Sequence, residues 1–575
     1  MIAYIDSIVV NTNLQRQQTA SWSSQFGGSI QATHKFGTDG RNLALRVNGS
    51  VKNGGEQQLS AADISFYSTP RPSQINNRYY NTPTKSANIS AQLQYTEPIA
   101  YKTYLQIGYT FGYNYSKNDK QAYIYESTKN AYEDLRQALL VNRYDIDAIL
   151  DYMNSVNYAL QNSEFLSQYS EYKTYQHTAS LSLRKVTDYV NFSIGVDLVP
   201  IATQLDYKKS GKSYFVKKNQ FNYAPRIDFR YQFNKTTQLR ANYSGRMSQP
   251  SLQNLIDIKD DSNPLNITIG NPDLKPSFAH NLRVNFNSIN RETSNSFFGN
   301  ANGSFTQNSM SNITSYDAES GVRTTQTANI NGNWNLGFGG GFNLVLDPAW
   351  QYFNLGNFLN VNYSNNVAYN AIGDSTNLKN VKGTTKNWTF MDNLDFSYRR
   401  DYFEIALTGS VNYTTSKNDI TSQGSQNTWN FSYGAELQYT TPWGMSINTD
   451  IAMSSRRGYA DDNANTDELL WNAQLSQSFL SGSLTFTLEA NDILGNRSNI
   501  SRMISATQRS DSRTNAIYQY GMLRVIYRLN IFGKGGRGGM RGGMGGFGGG
   551  GFGGGFGGGG GFGGGGGFGG GMGGF

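Results

Sequence analysis

The sequence predicts an all-β protein: a large antiparallel up-and-down transmembrane β-barrel, followed by a disordered glycine-rich tail. Side chains alternate in polarity with a period of two along most of residues 1–532, as strands between two unlike environments do. The alternating segments number about 20 and often run about 9–13 residues, past the soluble mode of about 5–6 and near the roughly 9–11 that a tilted strand needs to cross a bilayer. Their connections alternate between short and long.

The composition fits. The 575 residues are 37% hydrophobic, 13% aromatic and 16% charged, whereas an ordinary globular chain is roughly 45–50% apolar. Of the 63 glycines, 31 lie in residues 533–575, so the body has an ordinary share. Such a polar, aromatic body folds only if its residue types alternate finely.

In residues 101–115, Tyr101, Thr103, Leu105, Ile107, Tyr109, Phe111, Tyr113 and Tyr115 occupy one face and Lys102, Gln106, Gly108, Thr110, Gly112 and Asn114 the other. Val190, Phe192, Ile194, Val196 and Leu198 alternate with Asn191, Ser193, Gly195 and Asp197, and Ile227, Phe229, Tyr231 and Phe233 with Arg226, Asp228, Arg230 and Gln232. Trp388–Tyr398, Phe403–Tyr413 and Trp429–Tyr439 repeat the pattern. Short links fall near 37–41, 96–100, 187–188, 234–237, 289–294, 399–401, 440–442 and 480–482. Long ones fall near 52–87, 116–175, 200–219, 247–278, 307–323, 370–386, 415–427, 455–468 and 492–516. Alternation alone suits a soluble sandwich as well as a barrel. Strand length, strand number and the gathering of long connections at one end favour the transmembrane barrel. Trp388, Trp429, Tyr439, Trp443 and Trp471 stand near strand ends, as an interfacial girdle requires, though each is also an ordinary strand former.

Between about 130 and 161 the period changes. Leu135, Leu139, Ile146, Ile149, Leu150, Met153, Val156 and Leu160 recur mostly every three or four residues, which predicts a helical insertion in a long loop. Its expected role is a structural cap over loops, with a lid or recognition element at the barrel mouth as the alternative.

The segment from Arg246 to Pro276 is dense in turn residues: Gln249-Pro250-Ser251, Ser262-Asn263-Pro264 and Gly270-Asn271-Pro272-Asp273-Leu274-Lys275-Pro276. With Pro442-Trp443-Gly444, Leu470-Trp471-Asn472-Ala473, Asn491-Asp492-Ile493-Leu494 and a last strand ending Tyr527-Arg528-Leu529-Asn530-Ile531-Phe532, this resembles the carboxy-terminal β-barrel of TonB-dependent outer-membrane receptors, in the outer membrane protein beta-barrel form common in Bacteroidota. The resemblance covers roughly residues 20–532; Ser277 stands where a glutamate is usual. It implies a 22-stranded barrel, an amino-terminal plug whose Ton box meets the TonB energy-coupling complex, and a terminal strand read by the barrel-assembly machinery. Plug and Ton box are not in this sequence. The amino terminus shows no basic, apolar and small-residue succession of a secretory signal, so an exported protein is expected to be a fragment or to have a misassigned start.

The last strand places Leu523, Val525, Tyr527 and Leu529 on one face and Arg524, Arg528 and Asn530 on the other, and closure pairs it with the first strand. Asp257, Asp260 and Asp261, and Asp461 and Asp462, form acidic clusters without calcium-loop spacing and are expected to be solvated loop charge. The tail, 533–575, cannot bury enough surface to order itself; it is expected in the periplasm, either touching peptidoglycan or partner proteins or as a tolerated extension.

No run of residues is apolar enough for a transmembrane helix. The chain has no cysteine, and its histidines, His34, His177 and His280, lie far apart, so no catalytic, cofactor or metal residue is predicted and the chain is not expected to be an enzyme. Of the net charge of +8, three belong to Lys534, Arg537 and Arg541; the remaining +5 is a poor footprint for nucleic acid, despite Arg537-Gly538-Gly539. The leading expectation is the barrel portion of a TonB-dependent receptor in the outer membrane of a Gram-negative bacterium, surrounded by outer-membrane lipid, importing an unidentified ligand through residues the sequence does not reveal. The rival is a non-transporting barrel with an adhesive or structural role.

Overall fold

The computed structural model describes residues 2–5, 8–67, 72–142, 145–263, 265–317, 322–372, 379–419, 425–459, 462–498, 500–504, 509–513 and 519–528. The tail 533–575, Asp461 and residues 529–532 of the predicted last strand lie outside them.

Nineteen strands follow one another in sequence, each antiparallel to the next. They are β1 Ile8–Lys35, β2 Asn42–Phe66, β3 Gln74–Ala100, β4 Thr103–Ile124, β5 Gln168–Val186, β6 Val190–Lys209, β7 Lys212–Gln232, β8 Thr237–Ser248, β9 Ser277–Ile289, β10 Ser296–Gln307, β11 Asn333–Val345, β12 Phe353–Ile372, β13 Lys379–Arg400, β14 Phe403–Asn418, β15 Ser425–Thr440, β16 Met445–Arg457, β17 Asp467–Phe479, β18 Leu484–Asn491 and β19 Tyr520–Tyr527. A further strand, Ile2–Ile5, pairs with the beginning of β1. This is the predicted up-and-down architecture of a large barrel wall. Among the described residues no ladder joins β19 to β1, so the predicted closing pair is not formed there.

The short connections fall close to where the sequence places them, with a further one at residues 346–352 that the sequence reading missed. Tyr101, read as the start of a strand, instead stands in the turn with Lys102, whose φ is 52°. Many of the long connections are largely strand. Residues 52–64 and 74–86 continue β2 and β3 in unbroken register, and 200–219 closes through a two-residue turn, Ser210-Gly211, with φ of 50° and 73°, the backbone that suits a tight hairpin. Polar residues stand on both faces there, because a strand that leaves the membrane loses its apolar face but not its ladder.

Outward positions follow the predicted parity. Ile194 is 45% exposed on the apolar face and Ser193 lies on the other; Phe26, Leu181, Leu336, Phe338, Leu359 and Leu407 are likewise exposed. Nine to twelve residues from the short turns, an aromatic belt crosses the strands. In it Tyr113 meets Tyr175 at 5.1 Å, Tyr223 meets Phe278 at 5.0 Å, and Trp334, Tyr363 and Trp388 follow at 4.8 and 4.7 Å. Tyr413 and Trp429 lie 4.3 Å apart. A second belt sits at the short turns, with Phe353 on Tyr398 at 4.9 Å and Phe479 on Phe486 at 5.8 Å. Two aromatic girdles about ten residues apart bracket a band of lipid thickness. Asp392 is an exception among outward positions; it lies opposite Leu359 and Val411, and Asn357 Nδ2 donates to it at 2.8 Å.

The helical insertion is present as two helices, α1 Lys129–Val141 and α2 Ile146–Ser155, capped by Thr128 and Asp145. Leu135, Ile149 and Met153 are fully buried against Leu59, Ala61 and Tyr79, and Lys129 Nζ reaches Asp63 at 2.5 Å. Because Leu59, Ala61, Asp63 and Tyr79 share the outward parity, the helices lean on the outside of β2 and β3 beyond the membrane. They also pack on Tyr125, Tyr158 and Leu160 of the flanking connections, so part of their contact is with loop residues, made from the outer side of the wall.

Candidate functional site

The inner wall is polar and its charge is divided. On β5–β9, Arg184, Arg226, Arg230, Arg240 and Arg283 point inward with Asp197 and Asp228. Arg226 pairs with Asp197 at 3.0 Å and Arg240 with Asp228 at 2.8 Å. Arg184 and Arg230 instead donate to the amide oxygens of Asn191 and Gln232. On β13–β18 the inward charges are mostly acidic: Asp395, Glu404, Glu436, Asp450 and Glu489. Arg399 pairs with Glu404 at 2.7 Å, and Arg524 of β19 with Glu489 at 2.8 Å. Glu436 and Asp450 stand directly opposite each other in the ladder.

Between these sectors β10–β12 form a neutral strip. Asn300, Asn302, Asn360 and Asn362 flank Gly337 and Gly339, and a Cβ at Gly337 would lie 2.5 Å from Asn362 Oδ1 and 2.7 Å from Asn302 Oδ1. The glycines let the amides fold over the wall. Phe298 and Phe358 stack across the same strip at 5.9 Å.

Beyond the membrane, the described residues of 249–276 turn inward against β5–β7. Leu252 and Ile256 are buried on Leu205 and Tyr207, with Tyr172, Tyr214 and Val216 around them. Lys209, 5% exposed, reaches Asp260 at 3.3 Å. Asp260 is therefore a tether for this segment, where the sequence suggested solvated charge. Burial, and then the Asp260 carboxylate, push the Tyr207 hydroxyl up to about 12. Lys120, its ammonium 4.0 Å from the centre of the Tyr80 ring, is held below the ordinary lysine value by burial and by Lys209.

The Gly270–Pro276 motif is what holds this segment. A Cβ on Gly270 would lie 1.8 Å from the Ile256 carbonyl oxygen, so only glycine fits. Asn271 accepts from the Asp273 amide and donates to the Thr327 carbonyl at 2.8 Å; Asn329 accepts from the Lys275 amide at 2.7 Å and donates back to the Lys275 carbonyl. Thr327 and Asn329 belong to a hairpin, Ser309–Tyr316 with Arg323–Ile330, whose first strand falls in what the sequence marked as a loop near 307–323 and whose second runs past it. Nothing local in the sequence foretold that the motif would clamp to this hairpin, because the partners are 54 and 56 residues away. The inward sectors were visible only as alternation; their grouping by charge depends on strand order.

An apolar outer band between aromatic girdles and a polar, charge-bearing inner wall define a large outer-membrane β-barrel. Residues 139–406 match the outer membrane protein beta-barrel family. No curated protein matches the chain. Among solved structures, the chain is similar to BauA, the ferric preacinetobactin receptor of Acinetobacter baumannii (11% identity, 89% of this chain, 79% of that chain, TM-score 0.38). It is also similar to the FrpB iron transporter of Neisseria meningitidis (12%, 88%, 72%, TM-score 0.36) and the siderophore receptor PiuA of Acinetobacter baumannii (11%, 89%, 81%, TM-score 0.35).

Proposed function

We propose that this chain is the barrel portion of a TonB-dependent outer-membrane receptor that takes up a ligand actively. The observation that carries the reading is the inner wall: separate cationic and acidic sectors leave polar groups facing the interior, and a segment bearing the receptor-like Gly270–Pro276 motif is clamped to the hairpin strand Arg323–Ile330. The divided charge suits a ligand or plug with both signs of charge. In this reading the barrel-assembly machinery inserts the chain, the TonB complex acts through a plug, and the tail 533–575 projects into the periplasm.

Uptake is tested genetically in the native host. Deleting this gene is expected to reproduce one of the nutrient-limited growth defects caused by deleting tonB, and the double deletion to add nothing. A gene deletion with no defect in any medium where the tonB deletion has one contradicts transport and leaves the structural or adhesive role. For the tail, a cysteine replacing Phe575 is expected to resist an impermeant maleimide on intact cells and to react once the outer membrane is permeabilised; labelling of intact cells contradicts the placement.

A further inference from the structure

β19 runs toward the short turns and ends beside Ser483, whose carbonyl accepts from the Arg528 amide at 2.7 Å. Short turns mark the periplasmic end of such a barrel, so residues 529–575 begin at the periplasmic mouth. From β19 the inner wall presents three surfaces in order: acidic on β18–β13, amide and aromatic on β12–β10, cationic on β9–β5. The chain beyond Arg528 has a matching order. Lys534, Arg537 and Arg541 come first, with no acidic side chain anywhere in residues 529–575, and glycine-spaced Phe547, Phe552 and Phe556 come next.

Asp395, Glu404, Glu436, Asp450 and Glu489 all lie within five residues of the short-turn ends of their strands. Glu404 and Glu489 are neutralised by Arg399 and Arg524. Among the described residues Asp395 and Glu436 make no ion pair. Asp450, opposite Glu436, accepts from Asn472 Nδ2 at 2.8 Å and has Arg497 in electrostatic reach. Like charges directly opposite each other on a sheet are destabilising, and a cation laid across them relieves the repulsion. The aromatic surface is as low on the wall. Phe298 lies over Gly341, where a Cβ would come 2.8 Å from its Cζ, and its ring runs nearly parallel to that of Phe358, with centroids 5.9 Å apart and planes at 18°. Both acidic and aromatic surfaces are within reach. β15 is four strand spacings from β19, about 19 Å, and β12 seven, about 34 Å. Arg537 can extend about 30 Å from Arg528 and Phe547 about 60 Å.

We propose that Lys534–Phe556 docks on the inner wall at the periplasmic mouth, its three cations on Asp395, Glu436 and Asp450 and its phenylalanines on Phe298 and Phe358. The cationic sector finds no counterpart in this segment and is left to another occupant. Glycine loses more conformational freedom on ordering than any other residue, so each contact is weak. The covalent tether to β19 holds the segment at an effective concentration on the order of millimolar, where weak contacts suffice. Residues past Phe556 stay in the periplasm. The docking needs the barrel wall and its orientation, and holds whether or not the chain imports a ligand.

Because the chain has no cysteine, disulfide cross-linking in isolated outer membranes, read by mass spectrometry of tryptic peptides, tests the docking. Ala406 faces inward opposite Glu436, and Asn285 faces inward opposite Arg240 in the cationic sector. Ala406→Cys is expected to cross-link with Gly536→Cys, and Asn285→Cys far less. Changing Lys534, Arg537 and Arg541 together to Glu or to Gln lowers the first cross-link about tenfold, roughly the effect of three exposed ion pairs; adding Asp395→Lys and Glu436→Lys to the Glu variant restores it. Asn360→Cys, two residues from Phe358, is expected to cross-link with Gly548→Cys until Phe298 and Phe358 are both changed to Ala. Anomalous migration of unboiled samples checks that each variant is folded. Equal cross-linking at 406 and 285, or a cross-link at 406 that both the Glu and the Gln variants leave unchanged, overturns the ionic contact. A cross-link at 360 indifferent to the loss of both rings overturns the aromatic one. Folded barrels with neither cross-link overturn the docking and leave this wall to a plug or a ligand.

Discussion

One side of this barrel is tall and the other low. Strands β1–β4 run 28, 25, 27 and 22 residues, while β9–β11 run 13, 12 and 13. At membrane level the two sides obey the same rule, apolar outward and polar inward. Above the membrane they differ: β2 and β3 carry α1 and α2 on their outer surface and β5–β7 carry Leu252 and Ile256 on their inner surface, whereas β10 and β11 are joined by the hairpin of Ser309–Tyr316 with Arg323–Ile330. The hydrophobic effect still operates on the extensions, but water replaces lipid, so a strand reaching beyond the bilayer needs another element of the chain to cover whatever apolar surface it keeps. Leu59 and Tyr79 are covered by helices; Leu205 and Tyr207 by the Gly270 segment.

That difference can be broken in separate places. Replacing Leu135 by Ala removes a fully buried side chain from the helical hairpin at a cost of about 2–5 kcal/mol. The expected outcome is protease cleavage within 129–155 on intact cells with normal amounts of barrel in the membrane; loss of the barrel as well would mean that the hairpin holds the wall together. Ile194→Arg places a charge in the lipid band at a cost of about 2–4 kcal/mol. It is expected to lower assembled barrel in outer-membrane fractions, where Ser193→Arg, facing the interior, changes it little; equal losses would refute the facing of β6. Gly270→Val forces the Ile256 carbonyl away and is expected to free residues 249–276 for proteolysis without affecting assembly. Protection equal to the wild type would show that the segment is held otherwise.

The smallest effect is electrostatic. Because burial and Lys209 depress Lys120, the unfolded chain binds its proton more readily between the lowered value and the ordinary one near 10.5. Stability therefore rises with pH through that window, and protonated Lys120 weighs against the fold below it. Dimethylated Lys120, followed by NMR, is expected to titrate below free lysine; a value at or above it contradicts the burial.

Much of the wall was legible from residues alone. Ile194 against Ser193, the short turns and the helical period around Leu135 and Ile149 are local signals that the structure repeats. What failed were statements about distance and side. The connections near 52–87 and 200–219 looked like loops because polar residues occupied both faces, yet backbone pairing does not depend on side-chain polarity. The helices cover loop residues Tyr125, Tyr158 and Leu160, but their seat on the outside of the wall follows from the parity of Leu59 and Tyr79, which matters only once β2 and β3 are known to continue. Asp260 looked solvated because Lys209 is remote in sequence. Charge sectors on the inner wall likewise come from neighbours that strand order creates.

The central claim is that alternate residues of one strand meet lipid and water. The chain has no cysteine, so single cysteines can be placed at each position from 190 to 198 and spin-labelled without a background. Collision with oxygen, which dissolves in lipid, is expected to peak at 190, 192, 194, 196 and 198, and collision with a water-soluble nickel chelate at 191, 193, 195 and 197. A uniform response along β6, or the opposite phase, would contradict the barrel.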